Sequence, residues 1–306
     1  MRFFHRKDYD EPLNEPEQFT LDYDAIERID NEFPDNEYYS DNEFYPDEDE
    51  FYEPEIKPKH RLRKFIIILI ILCLVITLVN VAVLFFTGKL WFNEPDKLDY
   101  PIRGAVINSD MGEIQWDLFS KQNLSLAYIR ATSGTAFVDK CFKANWKETA
   151  ECELLTGAYH VFSFNTDGQK QAEYFCNAIG NSLNGRLIPA VELDLNGLYA
   201  IFPADKNRTV KELREFCDYV ENFCGAKPLI MCTERCYDKY VKGNFGDYPL
   251  WIKDVYSSPD EAIDWDFWCY NNRVRLKGYK NSDEYFSMFV YKDVVDIEKI
   301  KQMYMI

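Results

Sequence analysis

The sequence predicts an α/β protein whose main domain is a barrel of about eight strands with fewer helices. Between residues 101 and 306, apolar runs of strand length alternate with amphipathic stretches of helix length. This alternation favours parallel strands joined by helices, and about eight strands in roughly two hundred residues favour a closed barrel over an open sheet. The composition before residue 101 is very different and predicts an acidic tail followed by one transmembrane helix.

Acidic residues dominate the N-terminal segment. Residues 1–56 contain 20 Asp and Glu against 4 Lys and Arg, which accounts for nearly all of the formal net charge of −17. Acids, prolines and asparagines separate single aromatic residues, without a sustained helical or strand period. We therefore predict a disordered cytoplasmic tail over 1–56, either a solubilising spacer or a segment that recruits a basic cytoplasmic partner.

A basic segment and an uncharged apolar segment follow the tail. Residues 57–64 read KPKHRLRK, and residues 65–87 contain no charged side chain. A helix of that length, rising about 1.5 Å per residue, crosses a hydrocarbon core roughly 30 Å thick. The run is too long and too far from the N-terminus for a cleaved signal peptide, so a signal anchor in the lipid bilayer is predicted.

The flanking charges predict the orientation of this helix. More cations precede the apolar run than follow it, which places the N-terminus in the cytoplasm and the rest of the chain outside. We expect a single-pass cell-membrane protein, with a linker over 88–101 and an extracellular domain over 102–306. Eight cysteines follow the span, and their even number permits disulfides without determining the pairing.

The predicted elements of the extracellular domain alternate along the chain. The strands are GAVIN, LSLAYIRAT, GAYHVFSF, RLIPAVELD, AKPLIMCT, YPLWIKD, DFWCYN and EYFSMFVY. The helices are VDKCFKANWKETAE, GQKQAEYFCNAIGN, TVKELREFCDYVENFCG and ERCYDKYV. Little chain separates the last three strands, so the prediction is an irregular, TIM-like (β/α) barrel that lacks helices towards its C-terminal end.

Several classes of chemistry lack their motifs. No glycine-rich phosphate loop or serine nucleophile elbow occurs, and CTERC is a single cysteine pair without a second pair or a nearby histidine. No cofactor, metal or nucleic-acid partner is expected. His160 is the only histidine in the predicted extracellular domain, and lining a polar barrel mouth is favoured for it over acting as a catalytic base.

One strand ends in two carboxylates. In RLIPAVELDLNG, Glu192 and Asp194 are two residues apart and would project from the same face of a strand. Paired carboxylates at a strand end are typical of sugar-cleaving sites, although a polar strand edge gives the same pattern.

The ordered motifs resemble the glycoside hydrolase family 25 muramidases, which are lysozymes. The resemblance extends over about residues 103–291 and includes RGAVINSDMGEIQW, YIRATSGTAFVDKCFKANW, GAYHVFSF and IPAVELDLNG, with close similarity in the C-terminal half. It implies an eight-stranded barrel and cleavage of the β-1,4 bond between N-acetylmuramic acid and N-acetylglucosamine in peptidoglycan. It also implies a bacterial source with a Gram-positive type of cell wall.

The acidic positions of this chain differ from the family pattern. The family's Asp-x-Glu on the fourth strand is inverted here, with Glu192 at the Asp position and Asp194 at the Glu position. Val106 and Ser287 stand where the family carries two further acids. By resemblance, Asp194 is the general acid and Glu192 stabilises charge, with Asp110 as a candidate replacement for a lost acid. One methylene of displacement can cost on the order of 10²-fold in rate.

The remaining site predictions concern sugar contacts. The residues expected to line the glycan groove are Tyr159, His160, Phe162, Trp251 and Trp268. Core packing is the alternative for each aromatic side chain. Two functional hypotheses follow: a membrane-anchored muramidase, or a catalytically degenerate member that binds cell-wall glycan or a protein partner without cleaving it.

Overall fold

A computed structural model describes residues 60–181 and 183–306. The predicted disordered tail over 1–56 and the start of the basic segment lie outside these residues. The described chain begins with α1 (His60–Phe86), a helix of 27 residues. Its mean hydropathy reaches 3.3 and none of its apolar window is buried against protein. It is the one helix within the described ranges that is long and apolar enough to cross a membrane.

In the described residues after α1, nine strands form a single sheet. They are β1 (Arg103–Ile107), β2 (Leu126–Ser133), β3 (Phe137–Val138), β4 (Leu155–Val161), β5 (Ala190–Leu193), β6 (Leu229–Cys232), β7 (Leu250–Lys253), β8 (Phe267–Val274) and β9 (Phe286–Tyr291). Their order is β1-β9-β8-β7-β6-β5-β4-β2-β3, and pairing between β1 and β2 closes the sheet. Eight strands therefore form the barrel, and β3 pairs only along the end of β2.

Most of the barrel is parallel. Strands β1, β2, β4, β5, β6, β7 and β8 run in one direction, whereas β9 is antiparallel to both β8 and β1. The carboxyl ends of the parallel strands consequently meet at one edge, which we call the mouth. At this edge β8 continues past its neighbours and pairs Val274 with Phe286 of β9, so the β8–β9 hairpin extends beyond the mouth.

Alternation along the strands separates two apolar layers. Inward-facing side chains, including Tyr128, Trp251 and Phe289, form a cluster that fills the barrel. Outward-facing side chains pack under the helices in a second, larger cluster. Two glycines make room for the inner rings: a Cβ at Gly157 would lie 2.4 Å from the Tyr128 ring, and one at Gly104 would lie 2.1 Å from the Phe289 ring.

The helices cover the parallel part of the barrel. They are α2 (Trp116–Phe119), α3 (Phe142–Glu148), α4 (Gly168–Ile179), α5 (Leu198–Ile201), α6 (Lys206–Cys224), α7 (Glu234–Cys236) and α8 (Ile297–Tyr304). Short 3₁₀ turns lie at Ser109–Met111 and Thr149–Glu151, and a π-helical turn lies at Tyr237–Val241. Asp167 and Asp205 cap the two longest helices of this domain, α4 and α6, by accepting hydrogen bonds from backbone amides.

The predicted eight-stranded barrel is confirmed, and each predicted strand overlaps an observed one. The four predicted helices correspond to α3, α4, α6 and the α7 region, and helices are absent between β7 and β9 in the described structure. The sequence did not predict β3, α2, α5 or α8. Helix α8 lies at the end of the barrel opposite the mouth, where Ile300 and Tyr304 are buried and Met305 bridges to Leu187.

Candidate active site

The two carboxylates predicted from the sequence lie at the mouth. Glu192 is the third residue of β5, which is the fourth strand of the barrel, and Asp194 follows the strand directly. Their side chains are 14% and 35% exposed, so both can be reached from solvent. The apolar residues around them in β5 fix the strand, because Ala190, Val191 and Leu193 are fully buried. The fold therefore holds two acids together at the edge where barrel enzymes place their catalytic groups.

A lysine lies between the two acids. The Lys253 ammonium, at the end of β7, forms an ion pair with Glu192 and lies 3.5 Å from Asp194 Oδ2. Burial on its own would lower the pKa of Lys253, but the charges of Glu192 and Asp194 outweigh it and hold that pKa well above its usual value. At 3.5 Å and an effective dielectric constant of about 20, two opposite unit charges attract by roughly 5 kcal/mol before desolvation is counted. Lys253 is therefore a fixed cation in the site.

Val106 and Ser287, the two positions predicted to have lost acids, lie on neighbouring strands. Val106 of β1 is paired in register with Ser287 of β9, and Cys269 of β8 is paired with Lys253. Burial raises the pKa of the Cys269 thiol to about 11, so this side chain is neutral near pH 7. In this part of the barrel, strands β1, β9 and β8 carry a valine, a serine and a neutral thiol, and the next strand, β7, carries the lysine. Two carboxylates and one ammonium supply the charge at the centre.

Asp110 belongs to a separate polar cluster. It lies in the 3₁₀ turn after β1, and its carboxylate is 3.6 Å from Arg130. Arg130 is held by Asp139, at 3.0 Å from Nε to Oδ2, and the Asp139 side chain is almost completely buried. Asp139 also accepts a hydrogen bond from the Ser109 amide, which anchors the turn. The ion pair of Asp110 is thus with Arg130, and its proposed role as a replacement acid stays a prediction.

The five predicted glycan contacts divide into two groups. Tyr159 and Trp251 face into the barrel, whereas His160, Phe162 and Trp268 face the surrounding layer; all five are almost completely buried. Trp251 is fully enclosed and packs 4.2 Å from the Phe289 ring. It lies two residues before Lys253 on the same strand face, so it forms the floor under the acid centre. The contacts of Trp251 are those of a core residue, which is the alternative to sugar binding that the sequence left open.

The expectation that His160 lines the mouth is wrong in this structure. His160 has no exposed surface, and its ring stacks on Phe216 at 5.0 Å. Its Nδ1 lies 2.7 Å from the Thr132 hydroxyl and its Nε2 lies 3.2 Å from Gln171 Oε1. Burial lowers its pKa to about 4, so the ring is neutral near pH 7. Adjacent residues of a strand point to opposite faces, so His160 could not share the mouth with Tyr159.

Phe162 and Trp268 also lie away from the mouth interior. Phe162 packs edge-on against Phe216 of α6, and Trp268 packs against Tyr100 and Trp265 on the outside of the barrel. Neither ring offers a face to a ligand inside the barrel, because outward-facing strand residues pack under the helices and the linker.

Sequence reasoning missed Lys253 and the exposed apolar residues near the mouth. Lys253 is two residues beyond Trp251, and this spacing on one strand face could have placed it inside the barrel. Exposed apolar side chains follow β5 and β7 and are 69–78% exposed: Leu198, Ile201, Phe202 and Tyr256. These loops present ring and aliphatic surface beside Asp194 and Lys253.

A closed, mostly parallel barrel with paired carboxylates at the end of its fourth strand is an arrangement that resembles sugar-cleaving barrel enzymes. Residues 107–279 match the family described as glycosyl hydrolases family 25, and the chain belongs to this family. The matched range begins directly after Val106 and ends before Ser287. The assignment of these two positions as lost acids therefore depends on the motifs that flank the range.

Three proteins illustrate what the chain is similar to. A family 25 glycosyl hydrolase from Bacillus anthracis superposes with a TM-score of 0.63 at 30% identity, over 70% of this chain and 97% of that chain. The Escherichia coli (strain K12) protein YegX is 30% identical over 190 residues, covering 58% of this chain and 66% of that protein. Lysozyme M1 of Streptomyces globisporus is 35% identical over 92 residues, or 29% of this chain and 31% of that protein. The family supports peptidoglycan as the polymer on which such domains act.

Proposed function

We propose that this protein is a membrane-anchored, extracellular lysozyme-like domain that binds peptidoglycan at the barrel mouth, with hydrolysis of the β-1,4 bond suppressed. Membership of family 25 supports the glycan as ligand, and α1 supports the anchor. The cations before the apolar run support a cytoplasmic N-terminus, with the acidic tail on that side. That the tail recruits a basic cytoplasmic partner stays a prediction.

The ion pairs of Lys253 with the two acids carry the proposal that cleavage is suppressed. Glycoside hydrolysis requires one carboxylic acid of the enzyme that gives a proton to the leaving oxygen. It also requires a second enzyme carboxylate that acts as a base or a nucleophile near the sugar ring. Here one ammonium donates to both carboxylates, and it retains its own proton because its pKa is raised. The same ammonium lies 3.5 Å from Asp194 Oδ2, on the carboxylate that the resemblance assigns as the proton donor.

An active muramidase is the second candidate. In this alternative Asp194 is the acid and Glu192 the stabilising carboxylate. The observation that favours it is that both side chains remain partly exposed at the mouth. Substrate would then have to displace Lys253 from Asp194, the more distant of its two partners.

The two candidates differ in turnover. Full-length protein in detergent is incubated with purified peptidoglycan, and both the bound fraction and the newly formed reducing ends are measured. The control is the double variant Glu192→Gln/Asp194→Asn. We expect wild type to bind peptidoglycan and to release no more reducing ends than this control. A clear excess of reducing ends from wild type would establish the muramidase, and an absence of both binding and excess reducing ends would overturn both candidates.

A set of gain-of-activity variants tests the role of Lys253. The changes Val106→Asp, Glu192→Asp, Asp194→Glu and Ser287→Asp restore the family's acids by resemblance, and they are combined with or without Lys253→Met. We expect cleavage only when Lys253 is also replaced, with a difference on the order of 10²-fold, the typical cost of a misplaced catalytic group. Equal activity with and without Lys253 would show that it does not suppress hydrolysis.

Lys292 provides the matched control for this lysine. Its ammonium lies 2.8 Å from Asp264 and 4.0 Å from Asp266, and its side chain is 29% exposed against 23% for Lys253. Lys292→Met therefore removes a similar cation from two acids outside the mouth. Adding Lys292→Met to the four restored acids should leave cleavage as low as with Lys253 intact.

A further inference from the structure

A cleft lies where the C-terminal end of α1 meets the extension of β8. Its volume is about 710 Å³. The linker after α1 supplies one wall through Gly88, Lys89 and Trp91, and the β8 extension supplies the other through Arg273 and Arg275. The cleft is distinct from the acid centre, which lies inside the mouth.

Specific contacts hold the two walls together. Arg273 Nη1 donates to the Phe86 carbonyl at 3.2 Å, and its guanidinium lies 5.0 Å from the Phe86 ring. A helix ends with carbonyl groups that lack partners in the helix, so this arginine satisfies one of them. Trp91 Nε1 donates to the Tyr270 carbonyl at 2.8 Å. Gly88 has a φ of +69° and approaches Arg273 so closely that a Cβ there would lie 1.9 Å from its carbonyl oxygen.

The cleft is cationic. Lys89 and Arg275 are exposed and Arg273 is half-buried. Glu94 is the one acid among the lining residues, and it is paired with Arg103 at 2.9 Å. The positive charges of the two walls are therefore not neutralised from within the cleft. Arginine guanidinium groups are well suited to phosphate, because their planar N–H donors match its oxygens.

The position of the cleft favours a lipid headgroup as the source of a phosphate ligand. It adjoins the end of the apolar helix, where the aromatic side chains Phe86 and Phe92 are 61% and 73% exposed. Aromatic and cationic side chains at the end of a membrane-spanning helix lie at the level of the lipid headgroups. We infer that Lys89, Arg273 and Arg275 bind the phosphate of an anionic lipid headgroup in the outer leaflet. This inference rests on the proposed membrane anchor.

The lipid contact also orients the barrel mouth. Trp91 stacks on Tyr256 at 6.4 Å, and Tyr256 is three residues beyond Lys253. Strands β7 and β8 are parallel and adjacent, so the β8 extension and the end of β7 lie at the same edge of the barrel. Headgroups bound in the cleft hold this edge at the bilayer surface.

Amide hydrogen exchange tests the inference. The full chain is reconstituted in vesicles of phosphatidylcholine alone or of phosphatidylcholine with phosphatidylglycerol, and exchange is measured over 87–91 and 271–275. We expect slower exchange with phosphatidylglycerol. In the variant Lys89→Gln/Arg275→Gln, the slowing of exchange by phosphatidylglycerol should be smaller by about fivefold for each cation removed. The matched control Lys277→Gln/Lys280→Gln removes two exposed cations of the same hairpin outside the cleft, and it should retain the difference.

The outcomes separate the lipid site from the anchor. Resistance of the chain to alkaline carbonate extraction reports insertion independently of the cleft. If the chain is inserted but exchange does not depend on phosphatidylglycerol, the lipid site is overturned and the anchor stands. If the chain is extracted, both are overturned. Protection by inorganic phosphate in uncharged detergent, without any by phosphatidylglycerol, would identify a small-anion site and also overturn the lipid site.

Discussion

His160 and Tyr159 show how far single residues could be predicted. Both were expected at the mouth, yet neighbouring residues of β4 point in opposite directions, and only Tyr159 faces the barrel interior. The positions of Glu192 and Asp194 at a strand end were predictable because the apolar run before them defines the strand. Their contact with Lys253 was not, because it depends on the register of β5, β6 and β7 and joins residues about sixty positions apart.

His160 makes stability depend on pH. Its pKa is lowered from 6.5 to about 4, so the unfolded state binds a proton in this window while the folded state does not. Stability should therefore fall as pH is lowered from 6.5 to 4, by roughly 3 kcal/mol from this residue alone. Denaturant unfolding followed by tryptophan fluorescence measures the decrease. His160→Gln should weaken the dependence, and an unchanged dependence in this variant would contradict the role of His160.

At the scale of elements, strands were predicted better than short helices. Long apolar runs with regular alternation identified all eight barrel strands, because burial on both faces requires such runs. Helices α2 and α5, which were not predicted, have four residues each and are too short to show a helical period. Helix α8 is longer, and its pattern was available in Asp296 as the cap and in Ile297, Ile300 and Tyr304 at helical spacing.

The inner layer of the barrel depends on a glycine in β4. A Cβ at Gly157 would overlap the Tyr128 ring, which is fully buried and packs against Trp251. Gly157→Ala should therefore destabilise the fold by about 1–3 kcal/mol, the usual cost of overpacking a core. Gly246 has no atom within 4 Å of its added Cβ, so Gly246→Ala is the control and should change stability little. Equal unfolding midpoints for the two variants would contradict this account of the inner layer.

At the scale of the whole molecule, the proposed membrane anchor predicts a defined topology. Protease added to intact cells should digest the barrel domain and leave a protected N-terminal fragment that contains the acidic tail and α1. The mass of the mature chain should include residues 1–87, because the proposed signal anchor is retained rather than cleaved. Protection of the barrel from external protease would reverse the orientation. A mature chain that begins after residue 87 would identify a signal peptide instead.

The link between α1 and the barrel limits where the protein can act. The segment between Phe86 and Arg103 packs along β8, with Tyr100 against Trp268 and Trp91 bonded to Tyr270. It is therefore not a flexible tether that would let the domain sample a large volume. With α1 in a membrane, a domain fixed in this way has a higher effective concentration for ligands near the bilayer than for ligands farther out. With α1 in a membrane, the mouth would meet glycan as it emerges at the cell surface, before it is incorporated into the distant layers of the wall.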